Sequence, residues 1–124
     1  MVIDIRIPEG NQRRYLRGGC FVFAHELRRH VRQQAGVMLA LRAIWVDDAP
    51  EHAFLVSEDG ACAYDARGRL PLDIVELSRG SSFEGLGTIR PITVAQMKEW
   101  ARSMDGHNAR LDIARYVYVH QDDE

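Results

Sequence analysis

Two glycines, Gly18 and Gly19, stand directly before Cys20, and the next run, CFVFAHELRRHVRQQ, sets Cys20, Phe23, Ala24, Leu27 and Val31 at helical spacing. A thiol in the first turn of a helix meets unpaired backbone N–H groups and the positive end of the helix dipole. Both favour the thiolate, the nucleophilic form. His52 opens the stretch HAFLV, and Asp65 closes ACAYD thirteen residues later, with the turn signal Glu58-Asp59-Gly60 between them. Strands paired around that turn bring positions 52 and 65 to the same open end of a hairpin. An imidazole there can face the start of the helix while the carboxylate holds its other ring nitrogen, which is the base-and-orienter logic of nucleophilic catalysis. Each residue also has a plainer reading: Cys20 as a small core residue, His52 as a loop-edge residue bonded to backbone, and Asp65 as the first residue of the turn Asp65-Ala66-Arg67-Gly68.

Other chemistry-bearing residues lead elsewhere. Cys62 lies mid-strand between two alanines, a packing position. HELRRH, residues 25–30, superficially resembles a zinc-peptidase helix, but its histidines are five apart, about 140° round a helix, and cannot share one ion from one face. No metal and no cofactor is expected. Trp45 and Trp100 are expected as apolar anchors of a strand and a helix. His107 and His120 have no partner that the sequence identifies.

The elements that must position these residues form an α+β pattern. VIDIRI, residues 2–7, alternates as a short strand before Pro8, and residues 11–17 hold at most one helical turn. The helix from Cys20 runs to about Gln34 and closes at Gly36. Residues 41–46, 52–57, 61–65 and 113–119 are expected as strands of one antiparallel sheet beneath it. Asp73 opens a short helix through Leu77, and Thr93 with Gln96 forms a capping box for a helix to about Met104. The Gly- and Ser-rich loop from Ser78 to Gly87 is long enough to raise the question of a lid.

At 124 residues and 46% apolar composition the chain is read as a single domain, residues 1–124. No stretch has the length of a membrane span and the first residues lack signal-peptide order, so a cytoplasmic protein without a membrane partner is expected. The net charge of -2 gives no case for nucleic acid. Charge is local instead: Arg13, Arg14, Arg17, Arg28, Arg29 and Arg32 face only Glu26 within residues 11–34, while the tail ends in Asp122, Asp123 and Glu124. Arg28, Arg29 and Arg32 are either a solvated helix face or a patch for an acidic partner.

The ordered set of GGCFVFAHELRRH, the strand HAFLV and the strand end AYDARG, spanning residues 18–70, resembles the core of the papain-like cysteine proteases in their transglutaminase-like branch. That resemblance implies a papain/transglutaminase-like core in which the helix begun by the cysteine packs on an antiparallel β-sheet. It implies Cys20 as nucleophile, His52 as general base and then acid, Asp65 as the residue orienting His52, and Asn11 or Gln12 as oxyanion donors beside the Cys20 N–H. The implied activity is amide chemistry on a protein or peptide, by hydrolysis or by acyl transfer. The competing class is a small non-enzymatic inhibitor or adaptor that binds an acidic partner through its arginines.

Overall fold

The computed structural model describes residues 1–16 and 18–121; Arg17 and the acidic tail Asp122, Asp123 and Glu124 lie outside the described residues. The long helix α2, Cys20–Ala35, is amphipathic as its spacing requires, with Cys20, Phe23, Ala24, Leu27 and Val31 buried and Gly36 closing it in the left-handed region at φ 71°. Ahead of it, α1 spans Glu9–Leu16, longer than the single turn expected. Tyr15 makes it worth forming: the ring packs on Phe23 at 4.8 Å between centroids, and its hydroxyl donates to Asp112 at 2.6 Å.

The glycine pair makes the corner between these helices. Gly18 takes φ 104°, a conformation L side chains rarely adopt. The Gly19 N–H donates to the Arg14 carbonyl at 3.0 Å, and a Cβ on Gly19 would lie 2.2 Å from that same oxygen. Backbone must move to admit it. Gly19→Ala is therefore expected to shift the start of α2 and with it Cys20, lowering the thermal midpoint and slowing Cys20 alkylation together; Gly10→Ala, where nothing lies within 4 Å, is the control.

Beneath α2 lies a five-stranded antiparallel sheet in the order β5-β4-β3-β2-β6. Its strands are β2 (Ala40–Val46), β3 (Ala49–Val56), β4 (Cys62–Asp65), β5 (Gly68–Pro71) and β6 (Thr88–Pro91). Strand alternation splits the core in two. Leu41, Ala43, Ala53, Leu55, Tyr64 and Ala66 join the cluster containing α2, whereas Ile44, Phe54, Val56 and Ala63 form a second cluster with Leu77. Between Ile44↔His52 and Trp45↔Pro50 the register slips, leaving Glu51 as an extra residue. That bulge ends the regular ladder beside His52, a place where bulges commonly re-aim side chains.

Two helices follow the capping logic of the sequence. Asp73 caps α3 (Ile74–Leu77) by accepting from the Glu76 N–H, and Thr93 with Gln96 forms the full capping box of α4 (Val94–Trp100), which stops four residues earlier than expected. The C-terminal segment departs from expectation. Residues 113–116 are the end of α5 (His107–Tyr116), and only β7 (Val117–His120) is extended. β7 pairs antiparallel with β1 (Val2–Ile5) in a separate two-stranded sheet rather than joining the main one.

Candidate active site

Cys20 is the first residue of α2 and is 3% exposed. Its cap, Gly19, supplies no side-chain hydrogen bond, so the first-turn N–H groups are not covered by a capping side chain. His52, also 3% exposed, sits at the start of β3's buried run: its Nε2 lies 2.9 Å from Asp65 Oδ2, and the Cys20 thiol is close enough to its ring to favour the protonated imidazole. With Nε2 committed to the carboxylate, Nδ1 is the nitrogen left for the thiol. The pairing Leu55↔Tyr64 and Val56↔Ala63, extended by one residue, places Asp65 opposite Phe54. His52 is then the same-face diagonal neighbour of Asp65, close enough for an imidazole to reach it.

The electrostatics come from burial and these contacts. Burial alone would push the His52 imidazole down, but the hydrogen bonds and charges of Asp65 and Cys20 outweigh it and hold His52 up at about 9. Asp65 feels the same contest: burial pushes its carboxyl up, and His52 and Arg67 together pull it below the ordinary carboxylate range. Both readings of Asp65 are realised at once. Its Oδ1 accepts the Arg67 backbone N–H at 2.8 Å, which is the turn, while Oδ2 meets His52.

Arg67 is the functional neighbour that sequence reasoning missed. Its Nη2 lies 2.5 Å from Asp65 Oδ2 and its Nε 3.2 Å from both carboxylate oxygens, a forked contact. The same guanidinium donates to the carbonyls of Glu76 and Leu77, at 3.3 and 2.8 Å. It thus ties the carboxylate that holds His52 to the end of α3. The available signal was the pair of residues Asp65-x-Arg67, too short a pattern to read without the turn that folds Arg67 back.

Cys20 and His52 open onto a cavity of about 820 Å³. Leu16 and Phe21 line it on the helix side, and Pro50 and Glu51 at the bulge. Trp100, expected as a core anchor, is 52% exposed and lines the cavity instead. Trp45 is half-buried, with the Arg90 guanidinium 4.9 Å from its ring. The loop after α3 forms a wall from Arg79 to Phe83. It is pinned: Ser78 Oγ donates to the Ile74 carbonyl and accepts the Gly85 N–H at 2.8 Å, and Phe83 packs on the second core cluster.

The structure does not bring the expected oxyanion side chains to the site. Asn11 donates to Asp112 at 3.3 Å and Gln12 to the Ile7 carbonyl at 2.9 Å, and neither lines the cavity. Both are held by the packing of α1, which leaves the Cys20 N–H as the oxyanion donor expected from the sequence. Nor do Arg28, Arg29 and Arg32 line it. They lie eight to twelve residues along α2 from Cys20, roughly 12–18 Å at the helical rise. Arg29 contacts the buried Glu26 at 3.4 Å on the α5 side, where Arg110 reaches the same carboxylate. Cys62 is half-buried, and Arg69 Nε donates to its sulfur at 3.1 Å. Among the described residues no group of three or more His, Cys, Asp or Glu is placed to hold a metal ion, and no helix is long and apolar enough to cross a membrane.

Comparison of the chain with protein-family models, with curated proteins and with solved structures finds no match.

Proposed function

We propose that this protein is a cysteine-dependent enzyme of amide chemistry, of the papain/transglutaminase-like kind, acting as a peptidase, amidase or deamidase, or acyltransferase. One observation carries the reading: a buried histidine, held at 2.9 Å by a buried carboxylate, shares the wall of a cavity with a helix-start cysteine that bears on its protonation. Cys20 Sγ, its proton transferred to His52, attacks the substrate carbonyl, and the Cys20 N–H at the helix start faces the developing oxyanion. The C–N bond then breaks as His52 returns the proton to the leaving amine, giving a thioester on Cys20. Water, or a second amine, loses a proton to His52 as it attacks the thioester. The C–S bond breaks, and the thiol recovers its proton. Asp65, itself held by Arg67, keeps the imidazole oriented and balances the imidazolium.

Iodoacetamide labelling read by mass spectrometry tests the pair, with Cys62 as the internal control. Cys20 is expected to label faster than Cys62 at pH 7, and His52→Ala to slow Cys20 by at least about tenfold while leaving Cys62 unchanged. Equal rates at both cysteines, insensitive to His52, would leave the thiol without its base and overturn the reading.

A further inference from the structure

The cavity carries more positive charge than its catalytic groups require. Arg67 is committed to Asp65 and to the Glu76 and Leu77 carbonyls. Two further arginines line the same space: Arg13, from α1, and Arg79, from the loop after α3. They come from elements that contribute none of Cys20, His52 and Asp65, so their presence is independent of the catalytic arrangement. Arg13 is exposed and has no ion-pair partner among the described residues. Arg79 meets Glu76 at 2.6 Å, but the pair is exposed on both sides. Such an exposed contact contributes little and exchanges readily for another carboxylate. Against these guanidinia the described lining offers one carboxylate, that of Glu51, which is exposed at the bulge.

The remaining walls suit a peptide. The half-exposed indole of Trp100, with Leu16 and Phe83, gives apolar surface beside the charges. An aromatic and arginine combination of this kind is common where a partner is gripped. The volume lies toward the upper end of small-ligand sites, ample for several residues around a reacting carbonyl.

We propose that the cavity selects an acidic peptide segment as acyl donor: a carboxylate side chain near the reacting carbonyl binds Arg13 and Arg79, while its neighbours lie on Leu16, Phe83 and Trp100. The inference rests on the cysteine chemistry proposed above and names its substrate class. It moves the acid-binding role from the α2 arginines to a different pair, because Arg13 and Arg79, unlike Arg28, Arg29 and Arg32, line the cavity with Cys20.

The test uses short peptidyl chloromethyl ketones in which a single Glu is moved through the positions before the warhead, each paired with its Gln counterpart. The rate of Cys20 alkylation is read by mass spectrometry. At one or more positions Glu is expected to exceed Gln by about tenfold, the scale of a charge-assisted contact. In Arg13→Gln with Arg79→Gln that ratio is expected to fall to near one. Because it is a ratio within one protein, a general loss of folding or of thiol reactivity does not mimic the result. Equal Glu and Gln rates at every position, a preference that survives in the double variant, or labelling by iodoacetamide but by no peptide would each overturn acidic selection and leave the cysteine chemistry standing. A Cys20 that reacts with neither peptides nor iodoacetamide overturns both.

Discussion

Arg67→Met is expected to cost the fold about 3 kcal/mol, the lower end of the range for removing one member of a buried ion pair. Met keeps the length and apolar bulk of the side chain but removes the fork that holds Asp65, a carboxylate only 2% exposed. His52 still pairs with Asp65 at 2.9 Å, which is why the lower end applies. The Arg67 side chain is itself 20% exposed, so solvent screens little of the contact. Arg67→Lys is expected to recover only a minor part, since an ammonium cannot span both carboxylate oxygens and also reach the Glu76 and Leu77 carbonyls. Adding Asp65→Asn to Arg67→Met should restore part of the loss, because the charge left without its fork is gone. Urea unfolding of the wild type, Arg67→Met, Asp65→Asn and the double variant measures the coupling; simple additivity of the two changes would mean that the pair contributes nothing as a pair.

The same contacts show which parts of the site were legible in the sequence. Cys20, His52 and Asp65 could be placed because each lies at the end of an element with a strong local signal: a glycine pair and helical spacing, an apolar strand, and a turn. The meeting of His52 and Asp65 is then a consequence of hairpin geometry, and Cys20 joins them through the packing of α2 on β3. Arg13, Arg79 and Trp100 carry no such signal, because their position at the cavity depends on how α1, the loop after α3 and α4 pack around the sheet. Asn11 and Gln12 show the opposite error. Proximity in sequence to Cys20 suggested a role, but α1 is a full helix whose packing directs Asn11 to Asp112 and Gln12 back to Ile7. Asp112 also explains why α5 was missed. Ala109, Asp112 and Ile113 form its buried face, and an aspartate in the middle breaks the apolar pattern that would have announced a helix. That aspartate is buried because Tyr15 and Asn11 satisfy it, partners about a hundred residues away that no local window contains.

On the alkaline side of neutrality the protein is expected to lose stability on the order of 3 kcal/mol, and His52 is the group responsible. Its folded value of about 9 lies above the unfolded imidazole value of about 6.5. The stabilisation is therefore fully present below about pH 6.5 and disappears as pH rises through about 9. Other groups act on the acid side. Asp65, depressed in the fold, contributes above its unfolded value of about 3.9 and loses that contribution as pH falls through its folded value. His25 and His30, pushed down chiefly by burial, oppose protonation and favour the fold as pH rises toward 6.5. Stability should then peak near neutrality and fall toward pH 10, with the urea midpoint dropping by about 1–2 M for a domain of this size. His52→Gln is expected to flatten the alkaline limb and leave the acid limb in place. Cys20→Ala should shorten that limb without removing it, because the thiol is one of two partners that hold the imidazolium and Asp65 remains. A limb of undiminished depth in His52→Gln would put the titrating charge elsewhere, and a limb unchanged by Cys20→Ala would separate the thiol from the imidazole on which the proposed chemistry depends.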